Sequence, residues 1–195
     1  MYQLHTKERL PKFTVSINLG YVGGSSLNSV AQLKDSETGE VYADNVNQVV
    51  TVSKETRKPI PIADWWKEKY ASTAVGDGRL IVPLTPVPSS RHQHSLKVPY
   101  EDIDGYMHTN YTAYIKYCFE AAMDACKNAF YTQLKDDVLN YHVELMDIAY
   151  KGETKAGDEL VISTWESEHN ARKIHFDIAK NQSTMFQSTI IFHED

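Results

Sequence analysis

Residues 95–134 read SLKVPYEDIDGYMHTNYTAYIKYCFEAAMDACKNAFYTQL. A short strand pattern, SLKVPY, runs into an irregular polar loop, EDIDGYMHTN. The loop opens into the longest helical pattern in the chain. There Tyr111, Tyr114, Cys118, Ala121, Ala125 and Ala129 recur at three- and four-residue steps and draw one apolar stripe. Its members are small or aromatic, so this helix can lie close against a sheet. Strand patterns follow: YHVELMDIAY, DELVISTWESE, KIHFDIAK and MFQSTIIFHE, with the loop KGETKAGD between the first two. A strand, one long helix and then an antiparallel run define an α+β arrangement, with the helix cradled by a curved sheet.

Upstream, FTVSINLGYV, SSLNSVAQLKD and VYADNVNQVVTVS also read as strands. The turn DSETGE joins the last two, with Gly39 supplying a permissive backbone. Asp64 is expected to cap a short helix whose apolar side carries Trp65, Trp66 and Tyr70. Gly76, Gly78, Pro83, Pro86 and Pro88 mark an extended linker, placed at 71–90. The two halves resemble each other: KFTVSINLGYVGGSSLNSVAQL lies over ELVISTWESEHNARKIHFDIAK without a gap. The first half has no counterpart of the EDIDGYMHTN loop or of the long helix.

Composition sets outer bounds. The chain has 195 residues, 42% hydrophobic and 24% charged, which fits one domain or two small ones. A net charge of −6 argues against a broad basic surface for nucleic acid. No apolar run is long enough to span a bilayer, and the start lacks the apolar segment of a secretory signal. Cys118 and Cys126 fall in one helical pattern, about 12 Å apart at roughly 1.5 Å per residue. A disulfide needs Cα atoms within about 7 Å, so the two cannot pair, and a reducing compartment, cytoplasmic or mitochondrial, is expected.

The chemical density lies in Asp102, Asp104, His108 and Asn110. The run D-I-D-G-Y-M-H-T-N-Y-T-A-Y resembles the D-x-D-x-x-G-H-x-N-N-x-x-Y signature of hot-dog-fold acyl thioesterases. That group contains 4-hydroxybenzoyl-CoA thioesterase and the plant acyl-ACP thioesterases. Asp102, Asp104, His108, Asn110 and Tyr114 fall on its positions without a gap. Met107 stands where the family usually has Gly, and Tyr111 where it usually has a second Asn. ELMDIAYKGETKAGDELVISTW is similar to the family's strand, turn and strand. GYVGGSSL and SKETRKPIPI look like the late strands and closing segment of another such unit. The resemblance implies a complete hot-dog unit over 91–195 and a partial one over 1–70. It also implies hydrolysis of an acyl-CoA or acyl carrier protein thioester without metal or organic cofactor, with hot-dog pairing within the chain or between copies.

Thioester hydrolysis needs a polarised carbonyl, an activated water or a nucleophile, and a leaving thiolate. The N-terminus of the long helix offers amide donors and the positive end of a dipole to the carbonyl oxygen. The resemblance points to Asp104 as general base or nucleophile, with the alternative that it only closes an Asx-turn. His108 orients substrate or shares in proton transfer, or is simply a hydrogen-bonded loop residue. Asn110 caps the helix or holds water. Asp102 is expected to bond loop amides close to substrate, with Tyr106, Met107 and Tyr111 as further substrate contacts. Arg172 and Lys173 either meet CoA phosphates or lie in solvent. His92 and His94 read as linker polarity, since no further ligands of metal-site spacing join them. Two other functions stay open: a non-catalytic hot-dog domain that binds acyl thioesters or serves as an assembly partner, and a hydroxyacyl dehydratase.

Overall fold

Strands β1 (Phe13–Val22), β2 (Ser26–Asp35) and β3 (Val41–Val50) pair antiparallel in that order. They belong to a computed structural model that describes residues 12–76 and 78–193. The β2–β3 turn forms because Asp35 Oδ1 accepts the amides of Glu37 (2.7 Å) and Thr38 (3.0 Å) while Gly39 takes φ +76°. Helix α1 (Asp64–Tyr70) follows. Its N-cap position is Ala63, with no side-chain cap. Asp64 therefore does not cap α1; it is its first residue, where a carboxylate favours the positive end of the helix dipole. Seven residues give only two turns, and the i, i+4 pair Trp66 and Tyr70 takes the sheltered side, rings 5.2 Å apart. Trp65, expected beside them, is 65% exposed. The chain then returns along β1, with the amides of Val75 and Gly76 donating to Leu19 and Gly20. A hollow of about 270 Å³ opens there, lined by Leu19, Trp65, Trp66, Tyr70 and Thr73.

The chain divides into two compact units between Ile81 and Val82. The second unit holds β4 (His92–Lys97), α2 (Ala113–Lys127), β5 (Val143–Tyr150), β6 (Glu159–Ser167), β7 (Asn170–Lys180) and β8 (Ser183–Phe192). The strands form one antiparallel sheet in the order β4-β6-β7-β8-β5. Helix α2 buries Tyr114, Cys118, Ala121, Ala122 and Ala125 against a face that supplies Ile162, Ile174, Phe176 and Ile178. Each fully buried Ile or Phe contributes roughly 1.5–3 kcal/mol. The alanines let the helix axis come close to the sheet. Both cysteines are free and buried, and burial pushes both thiols above their ordinary range.

Helix α2 is shorter than its apolar pattern. Tyr111 lies before it and is exposed. At the other end Ala129 turns left-handed at φ +51°. The amide of Phe130 reaches Ala125 O (3.0 Å) and that of Ala129 reaches Cys126 O (2.9 Å), a Schellman ending. His92 and His94 are not linker polarity. They alternate onto one face of β4 and meet Asp124 of α2, with Nε2 of His92 at 2.7 Å and Nδ1 of His94 at 3.6 Å. The internal repeat has a structural echo: the β1–β2 pairing shifts register after Leu19, and the β6–β7 pairing shifts register after Glu166, the position the sequence overlay sets against Leu19, although the extra residue lies on β1 in the first pair and the extra residues lie on β7 in the second. Within the proline-rich stretch, the Thr85 peptide donates to Gln187 Oε1 (2.9 Å) and accepts from its Nε2 (3.1 Å). Among the described residues no helix is long and apolar enough to cross a membrane.

Candidate active site

The EDIDGYMHTN loop is a tight hairpin set on the entrance to α2. Ile103 and Thr109 bridge antiparallel, the Asp104 amide donates to His108 O (2.8 Å), and the Asn110 amide donates to Asp102 O (2.7 Å). Asp104 Oδ1 accepts the amides of Tyr106 (2.8 Å) and His108 (3.3 Å) from inside the turn. Its Asx-turn role is thus realised with one carboxylate oxygen, and the other stays available. Met107 closes the turn at φ +64°, the left-handed conformation that glycine adopts without cost. Gly105 takes no such φ, and a Cβ there would meet nothing within 4 Å. The loop therefore keeps its left-handed residue where the resemblance expects Gly, and fills it with Met.

Asp102 faces the helix. Its carboxylate takes Lys116 Nζ (2.8 and 3.0 Å) and the Tyr117 hydroxyl (2.8 Å), whereas the expected bonds to loop amides are made by its carbonyl. Burial alone would raise its pKa, but the hydrogen bonds from Lys116 and Tyr117 with the Lys116 charge outweigh that and hold it below the ordinary carboxylate value. Asn110 Oδ1 accepts from the amide and hydroxyl of Thr112 (3.0 and 2.9 Å), an Asx-turn that leads the chain into α2; the N-cap position is Thr112 with no side-chain cap, so Asn110 does not cap the helix as expected. Of the amides at this end, those of Thr112, Ala113, Ile115 and Lys116 already have protein acceptors.

His108 reaches away from its own loop. Its Nε2 lies 3.2 Å from Glu153 Oε2, on the loop after β5. The sequence reading passed over Glu153, which sits in a polar run, KGETKAGD, with no local pattern to mark it. What signals it is tertiary: the Thr109 amide donates to Thr154 O (2.8 Å) and registers the two loops side by side. Tyr114 is the buried member of the motif. Its ring stacks on Phe186 at 5.3 Å, and its hydroxyl bonds Thr154. Tyr150, donating to Tyr111 O (3.0 Å), packs edge-on against Tyr114, and burial pushes its hydroxyl up to about 12.

The structure gathers Asp104, His108 and Asn110 at the entrance of α2, with Tyr106, Met107 and Tyr111 exposed at its rim. It does not bring Arg172 and Lys173 there. Lys173 pairs with Ile191, six residues along β8 from Met185, whose carbonyl holds the Glu153 loop. Six strand residues span roughly 20 Å. The Arg172 guanidinium donates to the His193 carbonyl. Among the described residues no cluster of three metal-ligating side chains has the arrangement of a metal site.

A helix laid across one face of an antiparallel sheet, with a polar hairpin at the helix entrance, is the hot-dog fold, and its enzymes include acyl thioesterases. The acyl-ACP thioesterase C-terminal domain matches residues 87–194, and the chain belongs to that family of thioester hydrolases. Solved structures agree on the fold. The 12:0-ACP thioesterase of Umbellularia californica superposes with a TM-score of 0.75 at 16% identity, covering 96% of this chain and 72% of that one. An acyl-ACP thioesterase of Bacteroides thetaiotaomicron superposes with a TM-score of 0.66 at 20% identity, covering 95% and 70%. Comparison with curated protein sequences returned no match.

Proposed function

We propose that this thioesterase hydrolyses an acyl group carried on CoA or on acyl carrier protein at the entrance of α2, using Asp104, His108 and Glu153. The observation that carries the reading is the 3.2 Å contact between His108 Nε2 and Glu153 Oε2, made beside Asp104. A carboxylate on one ring nitrogen fixes the imidazole and leaves Nδ1 for the reacting groups. The free oxygen of Asp104 takes the proton of an attacking water, or attacks the carbonyl itself. The tetrahedral oxyanion points at the helix entrance, where the amides of Tyr111 and Tyr114 are the donors left to receive it. Collapse expels the thiolate, which leaves as the thiol with a proton from water; where Asp104 itself attacks, water then hydrolyses the mixed acyl anhydride, releasing the acid and restoring the carboxylate. Tyr106, Met107 and Tyr111 line the approach of the acyl thioester.

The test is thiol release from a panel of acyl-CoA and acyl carrier protein thioesters. Asp104→Asn is the informative variant. It keeps an oxygen for the Tyr106 and His108 amides and removes only the carboxylate. The expected loss is about 10²–10⁴-fold for Asp104→Asn, with a comparable loss for His108→Ala. Undiminished release by folded Asp104→Asn would confine Asp104 to its turn.

A further inference from the structure

We propose that the buried hydroxyl cluster of Thr109, Thr154 and Tyr114 positions the His108–Glu153 pair, with Thr154 as its hub. The inference rests on the reading that this pair acts in hydrolysis. Thr109 follows His108, and Thr154 follows Glu153. The two threonines face each other across the loops, Oγ1 to Oγ1 at 2.6 Å, with the Thr109 amide on Thr154 O at 2.8 Å. Tyr114 completes the set: its hydroxyl lies 2.9 Å from Thr154 Oγ1 and accepts the Thr154 amide at 3.1 Å. Thr154 is 0% exposed, and Thr109 and Tyr114 are buried with it.

Three hydroxyls taken out of water gain little net stability even when fully paired, and an apolar side chain of Val shape fills the Thr154 site as well. What the cluster supplies is geometry. On one side of Glu153 the amides of Lys151 and Gly152 both donate to Met185 O (2.8 and 3.0 Å), which fastens the loop to β8. On the other side Thr154 is fastened to α2 through Tyr114, whose ring is fixed by its stacking on Phe186. Glu153 therefore projects from a segment held at both ends. His108 projects from a segment held to the same hub through Thr109. The separation of the pair is set by bonds one residue away on each strand.

The experiment measures kcat and KM for a single acyl thioester, with thermal unfolding alongside, for Thr154→Val, Thr154→Ser, Glu153→Gln and Thr154→Val combined with Glu153→Gln. Thr154→Val keeps the shape and removes the hydroxyl. It is expected to lower kcat about 10- to 100-fold with KM changed less than about threefold, the penalty for loosening a reacting group by a fraction of an ångström. Thr154→Ser is expected to restore most of that loss. In the Glu153→Gln background Thr154→Val is expected to add nothing, because the pair it positions is already broken. Tyr114→Phe, which keeps the ring on Phe186, is the second probe and is expected to repeat the kcat loss should Thr154→Val fold poorly. Full kcat in folded Thr154→Val or Tyr114→Phe would overturn the positioning role while leaving the pair intact. So would a Thr154→Val loss that persists undiminished in the Glu153→Gln background. Full kcat in Glu153→Gln would overturn both this role and the proposed use of the pair.

Discussion

Replacing Met107 with glycine tests whether the turn of the proposed active-site hairpin is under strain. Met107 sits at φ +64°, where an L-residue is disfavoured by roughly 1–2 kcal/mol and glycine is not. Its side chain is 60% exposed, so little burial is lost with it. Against the relief stands the greater freedom of glycine in the unfolded chain, roughly 0.5–1 kcal/mol. The net expectation for Met107→Gly is a gain of about 0.5–1 kcal/mol, or about 1–4 °C in melting temperature. Met107→Ala is the control: it removes the side chain, keeps the strain, and is expected to leave stability within about 0.5 kcal/mol of the parent. Gly105→Ala is a second control, since no left-handed φ and no close neighbour demand glycine there. It is expected to be neutral or mildly stabilising. Urea unfolding followed by circular dichroism gives the differences, with unchanged m-values confirming a common unfolding reaction. If Met107→Gly proves no more stable than Met107→Ala, the turn carries no strain and the argument from its φ fails.

Gln182 closes the β7–β8 hairpin with Asn181, both left-handed at φ +65° and +49°, and Gln182→Gly is expected to raise stability by about 0.5–1 kcal/mol in the same unfolding assay. Gly152→Ala would bring a Cβ within 2.6 Å of Met185 Sδ; it is expected to cost about 1 kcal/mol and to lower kcat by displacing Glu153, with Met185→Ala restoring both. Acid is expected to unfold the protein in two stages, read as the urea midpoint against pH. Burial holds His175 below its usual 6.5, so below about pH 6.5 the unfolded chain binds a proton the folded one resists, and stability declines. Asp102, Asp124 and Asp158 are held below 3.8, so their contribution is complete above about pH 4 to 5 and is lost as pH falls through the depressed values. His175→Gln is expected to remove the first stage, and Asp102→Asn to soften the second.

What was legible in the sequence was legible because it was local. The strands announce themselves by alternation, and the middle of α2 by its alanine and cysteine spacing. Both patterns follow from burying one face of a periodic element. The ends of α2 were not legible, because Tyr111 and Ala129 continue the spacing while the backbone has already turned away, under Asn110 at one end and a left-handed Ala129 at the other. His92 and His94 looked like polarity in a spacer, since nothing nearby in the chain reveals that Asp124 of α2 faces that strand. The divided roles of the two aspartates follow the same logic. Asp104 bonds within four residues and its turn was foreseeable, whereas Asp102 bonds fourteen and fifteen residues away.

The site itself shows where this boundary matters for chemistry. Half of it, the hairpin with Asp104 and His108, is written in one continuous run that a motif can register. The other half is Glu153, a glutamate among lysines and glycines, which gains significance only when two loops meet. The meeting is made by Thr109 on Thr154 and Thr154 on Tyr114, that is, by the residues next to the proposed reacting pair. Met107 makes the complementary point. The residue there departs from the resembled pattern, yet the backbone keeps the left-handed turn that glycine would take. A changed residue in the motif therefore need not change the geometry that carries His108 to Glu153. The hydroxyls behind the motif hold that geometry, and a substitution there would disturb the pair while leaving every motif residue in place.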